Sequence, residues 1–250
     1  DRLNIPEDNE LRQTVRMKVA LSEEGSLMRT TLLPGVLESL SYNANRNLHD
    51  LRVFEIAHVY HPKAKAGELP DEPIHLAGGL SGQINEIGWN QNNREIDFYD
   101  AKGILEILLT HLRVDDYRFY RGIHPTMHPG RTAVIEAAGR QVGFVGEIHP
   151  AVKNEFNLTA PVILFELNLA ELWPSVKKEV VRVAPLPKFP PILRDLAFIL
   201  PEKVKTEEVT NLFREIGQEK LEAVTLFDVY QGDKIPSGCR SMAFSLTFRI

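Results

Sequence analysis

The alternation of apolar and polar positions is cleanest near the end of the chain. Leu196, Phe198 and Leu200 alternate with Ala197 and Ile199, the pattern of a buried strand. Thr206 is placed to cap a helix whose first turn holds Glu207 and Glu208, which suit the positive end of its dipole. Val209, Leu212, Phe213 and Ile216 then recur at helical spacing, and Gly217 stops the helix. A second strand is predicted over Leu221–Tyr230, followed by a loop from Gln231 to Arg240 that contains Gly232, Pro236 and Gly238. A third strand turns Met242, Phe244, Leu246 and Phe248 to one face, with Ser241, Ala243, Ser245 and Thr247 on the other. This β-α-β-β order is the first two thirds of a split βαβ, or ferredoxin-like, unit, without its last helix and strand.

Upstream, the pattern mixes α and β. Pro34 fits the first turn of a helix through Leu37, Leu40 and Tyr42. Val53, Phe54, Ile56, Val59 and Tyr60 predict a strand buried on both faces, and Ile74–Leu80 another. Ile104, Leu105, Leu108 and Leu112 have helical spacing within 97–112. Strands follow at 132–137, 141–148 and 162–167, with Gly139-Arg140 as the turn between the first two. Strands in succession, joined by hairpins and flanked by helices, predict an antiparallel α+β sheet. Five prolines (Pro174, Pro185, Pro187, Pro190 and Pro191) keep the chain extended between the two parts. The expected division is residues 1–185 and 186–250.

Composition narrows the class. The 250 residues are 43% hydrophobic and 25% charged, which excludes disordered and collagen-like chains. Among the apolar runs, none approaches the ~20 residues of a membrane span. Cys239 is the single cysteine, which removes a disulfide framework or zinc ribbon and points to a reducing compartment. The formal net charge is −5, and it divides unevenly. Residues 186–250 carry nine basic and nine acidic side chains, so the whole excess of acid belongs to residues 1–185. The sequence opens on Asp1 without Met and closes on Phe248-Arg249-Ile250, which reads as mid-strand, so a fragment of a longer polypeptide is expected.

A search for chemistry returns little. His124 and His128 are four apart, but Pro125 and Pro129 argue against a shared helix, and no nearby cysteine completes a metal set. The other histidines are scattered, as ordinary surface or partly buried residues are. No nucleophile elbow, phosphate loop or dinucleotide fingerprint is present. Gly78-Gly79 inside an apolar strand marks close packing. Glu23-Glu24 reads as a solvated pair, and Cys239 has no base beside it in sequence. The one positive feature lies in the C-terminal unit. There a loop brings Lys234 and Arg240 beside a sheet carrying Phe227 and Tyr230, the ingredients for tracking phosphates and stacking bases. Phe227 and Tyr230 are expected on opposite faces, so at least one belongs to the core.

Short blocks along essentially all 250 residues resemble one family, the beta subunit of bacterial phenylalanyl-tRNA synthetase. Leu21-Ser22-Glu23-Glu24 and Met28-Arg29-Thr30-Thr31-Leu32-Leu33-Pro34-Gly35 are similar to its LSEE and LRTSLLPGLL stretches. Leu51-Arg52-Val53-Phe54-Glu55-Ile56, with Val59-Tyr60, resembles an LRLFEIGRVF strand, and Asp97 to Gly103 a DFFDLKG helix start. His128-Pro129-Gly130-Arg131 and Gly146-Glu147-Ile148-His149-Pro150 are two further signatures. Arg194-Asp195-Leu196-Ala197, Leu226 to Tyr230 and Ser241 to Arg249 resemble the family's ferredoxin-fold anticodon-binding domain.

The resemblance implies a class II synthetase-like core that is catalytically silent, followed by an anticodon-binding domain. It implies a catalytic alpha subunit as partner in an α2β2 heterotetramer, and tRNA(Phe) as the nucleic acid, in the cytoplasm. ATP and Mg2+ serve the whole enzyme, and no cofactor is expected on this chain. An active class II core holds ATP with an aromatic-Arg-x-Glu strand, whereas this chain reads Leu51-Arg52-Val53-Phe54-Glu55, with altered spacing. The second arginine expected after a Gly-rich strand is missing, because 162–167 holds neither Gly nor Arg. The residues implied to contact tRNA are Lys188, Arg194, Lys234 and Arg240 at phosphates, with Phe227 and Tyr230 as stacking platforms. Two rival readings remain open: an assembly module without RNA affinity of its own, and a ferredoxin-like small-molecule sensor.

Overall fold

The computed structural model describes residues 2–19, 26–63, 65, 68–85, 88–90, 93–178, 187–232 and 234–249. It forms two compact units, Asp1–Glu179 and Val180–Ile250. The expected division at 185/186 and the Glu23-Glu24 pair lie outside the described residues.

In the first unit, α1 (Leu33–Ala44) precedes strands β1 (Leu51–His58) and β2 (Ile74–Ser81), then α2 (Phe98–His111). Strands β3 (Tyr117–Arg121), β4 (Met127–Ala137) and β5 (Arg140–Ile148) follow, then α3 (Pro150–Glu155), β6 (Val162–Asn168) and α4 (Leu169–Leu172). The six strands make one sheet in the order β1-β2-β6-β5-β4-β3, every neighbouring pair antiparallel. At its centre, β6 buries both faces. Val162 and Leu164 join a cluster with Leu33, Val36, Leu37 and Leu40 of α1. Ile163, Phe165 and Leu167 join a second cluster with Ala101, Leu105 and Leu109 of α2. Helices therefore pack on both faces of the sheet, each through an apolar stripe.

Local chemistry explains the elements. Pro34 sits in the first turn of α1, where its missing N–H costs nothing. Asp97 caps α2 by accepting from Tyr99 N–H at 2.8 Å, and the Asp100 carboxylate reciprocates by accepting from Asp97 N–H. Ala138 and Gly139 both have positive φ, which gives the β4–β5 hairpin a two-residue turn with the right twist. The Gly78-Gly79 pair is a close-packing device. A Cβ on Gly78 would lie 2.4 Å from Phe165 Cζ, and one on Gly79 would lie 2.8 Å from Leu40 Cδ1.

Two expectations about strands need correction. The β1 residues were expected to be buried on both faces, yet Phe54 and Ile56 are 73% and 57% exposed. The strand lies at the sheet edge, and only its α1-side face is covered. The short strand β3 and the helices α3 and α4 carry too few residues for a periodic signal, and the pattern passed over them.

In the second unit, β7 (Ile192–Pro201), α5 (Thr206–Gly217), β8 (Leu221–Tyr230) and β9 (Cys239–Phe248) form a sheet in the order β7-β9-β8. Met242, Phe244 and Leu246 of the central strand are buried. Phe213 of α5 sits 5.2 Å from the Phe244 ring centre and 6.0 Å from that of Phe198. The cap of α5 is Lys205 rather than Thr206, with the Glu208 carboxylate accepting from Lys205 N–H at 3.2 Å. The expected burial of β7 is also corrected. It is an edge strand, and Leu196 and Phe198 keep 40% and 37% exposure because α5 covers only part of their face.

Candidate nucleic-acid interface

Strand register sorts the proposed contact residues by face. Arg194 pairs with Leu246 and Arg240 pairs with Leu200, so both arginines belong to the face that carries α5. Tyr230 pairs with Ser241, which pairs in turn with Ile199, on the opposite, open face. Small residues (Ser241, Ala243 and Ser245) run down the centre of that face, flanked by exposed Leu193, Ile199 and Tyr230. Asp195 and Asp228 lie on it as well, so it is flat and partly apolar but not basic. Phe227 is the extra residue of a bulge between Leu226 and Asp228, and it is 57% exposed.

The six residues do not converge on one spot. Lys188 is exposed ahead of β7, whereas Lys234 is exposed in the loop beyond the far end of the sheet. The ten-residue strand between them spans roughly 30 Å. What gathers at the Lys234 end is Tyr230, Arg240 and the loop itself. The Tyr230 ring lies against Gly232, where a Cβ would stand 2.3 Å from the phenol oxygen. Arg240 is partly engaged: its Nη2 donates to the Val204 carbonyl at 2.8 Å, and its Nε is buried without a partner. At the other end, Arg194 donates to the carbonyl of its neighbour Leu193 at 2.8 Å.

The first unit shows how the arginine and glutamate of the Leu51–Ile56 signature are used. Arg52 Nη2 donates to the carbonyls of Gln83 and Ile84 at 2.7 and 3.0 Å, closing the loop after β2. Glu55 accepts from Arg29 at 2.7 Å, and Arg29 also donates to the His58 carbonyl. Each side chain is thus taken up by the scaffold. With β6 lacking both Gly and Arg, these residues do not fit a triphosphate, whose charge would go uncompensated. His124 and His128 likewise serve the backbone, accepting from Thr126 and Gly130 N–H at 3.3 and 3.1 Å. Among the described residues, no group of three or more His, Cys, Asp or Glu is placed to hold a metal. The sequence reading missed Glu166, which is buried at 4% exposure and received by α1. Its signal was available: a carboxylate inside the apolar run of β6.

Residues 1–169 match the family model described as the phenylalanyl-tRNA synthetase beta chain CLM domain. Residues 187–250 match that of the ferredoxin-fold anticodon-binding domain. The phenylalanine–tRNA ligase beta subunit of Symbiobacterium thermophilum is 40% identical over 249 residues, all of this chain and 28% of that protein. The same subunit of Moorella thermoacetica is 41% identical over 251 residues, all of this chain and 31% of that protein. That of Geobacillus kaustophilus is 37% identical over 240 residues, 96% of this chain and 30% of that protein. An antiparallel α+β core followed by an anticodon-binding ferredoxin fold is the make-up of an aminoacyl-tRNA synthetase chain. Within that class, the chain belongs to the phenylalanyl-tRNA synthetase beta chain family. It spans just under a third of the length of the curated relatives it matches.

Proposed function

We propose that this chain supports ATP-dependent attachment of phenylalanine to tRNA(Phe) without an active site of its own. In this reading the first unit is a silent class II-like core that packs against the catalytic alpha subunit of an α2β2 enzyme, and the second unit contacts tRNA. The observation that carries it is the match of both units, in order and over the full chain, to phenylalanine–tRNA ligase beta subunits. The internal pairing of Arg52 and Glu55 supports the silence of the core. ATP and Mg2+ belong to the alpha subunit's chemistry. The setting is cytoplasmic. Among the described residues, no helix is long and apolar enough to cross a membrane.

Lys188, Arg194, Lys234 and Arg240 are the proposed phosphate contacts, and Tyr230 and Phe227 the proposed stacking platforms. The split between the two ends of the sheet calls for an extended ligand rather than a single nucleotide. The test is a tRNA(Phe) binding titration against salt, with and without the alpha subunit. Replacing Lys188 and Lys234 by Ala should reduce the slope of log K against log salt by about 1 to 2. An unchanged slope removes these contacts. Adenylate formation by the chain alone, from ATP and phenylalanine, overturns the silent-core reading.

A further inference from the structure

A cavity of about 710 Å³ lies on the α2-side face of the first unit's sheet, against the first turn of that helix. Strand register builds it. Phe119 packs under α2 with Ala133 and Ile135, and Arg121, two residues on, shares that face. Beside it β4 bulges: His128 to Arg131 stand opposite Glu147 alone, between the pairs Met127–Ile148 and Thr132–Gly146. The bulge carries Arg131 to Glu147, whose carboxylate accepts from it at 2.5 Å. Tyr99, in the first turn of α2, also lines the cavity. It is 74% exposed, although a helix normally turns charged or polar side chains to water.

The charges of the walls leave one cation over, with Lys102, Arg121 and Arg131 set against Asp97 and Glu147. Arg131 answers Glu147, and Lys102 pairs with Glu106 while its Nζ lies 5.0 Å from the centre of the Phe119 ring. Asp97 is taken up as the cap of α2, accepting from Tyr99 N–H, with Arg94 3.6 Å away. Arg121 is exposed, and among the described residues nothing pairs with it. The first unit holds the chain's excess of acid, yet this corner has a positive surplus. A single guanidinium balances a single phosphodiester, and its fork of N–H donors suits the two free oxygens. The exposed ring of Tyr99 supplies a face on which a base stacks. The volume is in the range of small-molecule sites and holds one nucleotide.

We infer that this cavity binds one nucleotide of a single-stranded RNA segment, with its phosphodiester on Arg121 and its base against Tyr99. As a contact to tRNA the inference rests on the reading proposed above; as a nucleotide site it stands on the first unit alone. A free monophosphate brings a second negative charge that Arg121 leaves unbalanced, so a nucleotide within a strand fits better than a free one.

The test is a titration of the purified protein with a short oligouridylate, read from the backbone amide resonances of Tyr99 and Arg121. An abasic strand of the same length, uridine 5′-monophosphate and an oligoglutamate peptide are the controls. Saturable shifts at both residues are expected with the RNA, and the abasic strand should bind roughly tenfold more weakly. Tyr99→Ala should weaken the RNA roughly tenfold, whereas Tyr99→Phe, which keeps the ring, should retain the parental affinity. Arg121→Ala should reduce the slope of log K against log salt by about 0.7, the share of one phosphate in a single strand. Both side chains are exposed, so neither substitution reaches the core. Absence of saturation up to several millimolar RNA overturns the inference. So does equal affinity for the abasic strand or in Tyr99→Ala, or binding of the monophosphate or the peptide as tight as that of the RNA. Titration with tRNA(Phe) separates the two readings. Oligouridylate binding at Tyr99 without tRNA binding keeps this site and removes the tRNA reading. If the Lys188 and Lys234 substitutions weaken tRNA while Arg121→Ala leaves both RNAs bound as before, the tRNA reading stands and this site falls.

Discussion

Lowering the pH from 7 toward 4 should strip stability from the first unit through His124. Burial pushes this imidazole from 6.5 down to about 4, against a smaller opposing pull from the Glu166 carboxylate. The unfolded chain therefore binds a proton that the folded chain refuses between those two values. Stability is full above about pH 6.5, declines as the pH falls, and levels off below about pH 4. At about 1.4 kcal/mol per pKa unit, the whole decline is worth about 3 kcal/mol. His61, also held low by burial, adds to the loss in the same direction. The assay is urea denaturation at steps between pH 7 and 4, followed by the backbone amide resonances of α1 and β6, which report the first unit. His124→Asn is the control, because its amide oxygen can replace Nδ1 as acceptor for Thr126 N–H but does not titrate. The pH dependence of the parent should exceed that of the variant by about 3 kcal/mol. Parallel curves for the two proteins between pH 6.5 and 4 would refute the burial argument.

Other substitutions probe packing and caps. Gly78→Ala drives a Cβ into the Phe165 ring and should cost about 1–3 kcal/mol in a urea melt. Asp97→Ala removes the acceptor for Tyr99 N–H, so α2 should lose about 1 kcal/mol, visible as faster hydrogen exchange in its first turn. Arg240→Ala should destabilise the second unit by about 1 kcal/mol through the lost bond to the Val204 carbonyl. Exposed Lys234→Ala should stay within about 0.5 kcal/mol, which separates a tRNA effect at Lys234 from a folding effect at Arg240.

Period and punctuation made much of the fold legible. The i, i+3, i+4 series in Val209–Ile216 marked a helix, and the alternation through Met242–Leu246 marked a strand together with its buried face. Gly78-Gly79 was legible because only close packing favours two glycines within an apolar strand. Burial of edge strands was not, since Phe54, Ile56, Leu196 and Phe198 are as apolar as any core residue. Only sheet order tells which strand lacks a neighbour, and order is a non-local property. The same limit governs the site. Arg194 and Arg240 fall on the α5 face and Tyr230 on the other because of pairing register, which no local pattern contains. The cavity beside Tyr99 was invisible for a related reason: Tyr99, Phe119, Arg121, Arg131 and Glu147 come from α2, β3, β4 and β5, which only sheet order brings together.

The fate of polar side chains in the first unit gives the proposed silent core a physical basis. Arginines and carboxylates on a sheet are costly to bury unless something answers them. Here the chain answers them internally: Arg52 with two loop carbonyls, Glu55 with Arg29, and Glu166 with α1 and His75. Each pairing turns a group suited to chemistry into one that fixes a loop, a strand or a helix end. On the proposed reading, loss of activity then carries little penalty in stability, because the charges keep partners.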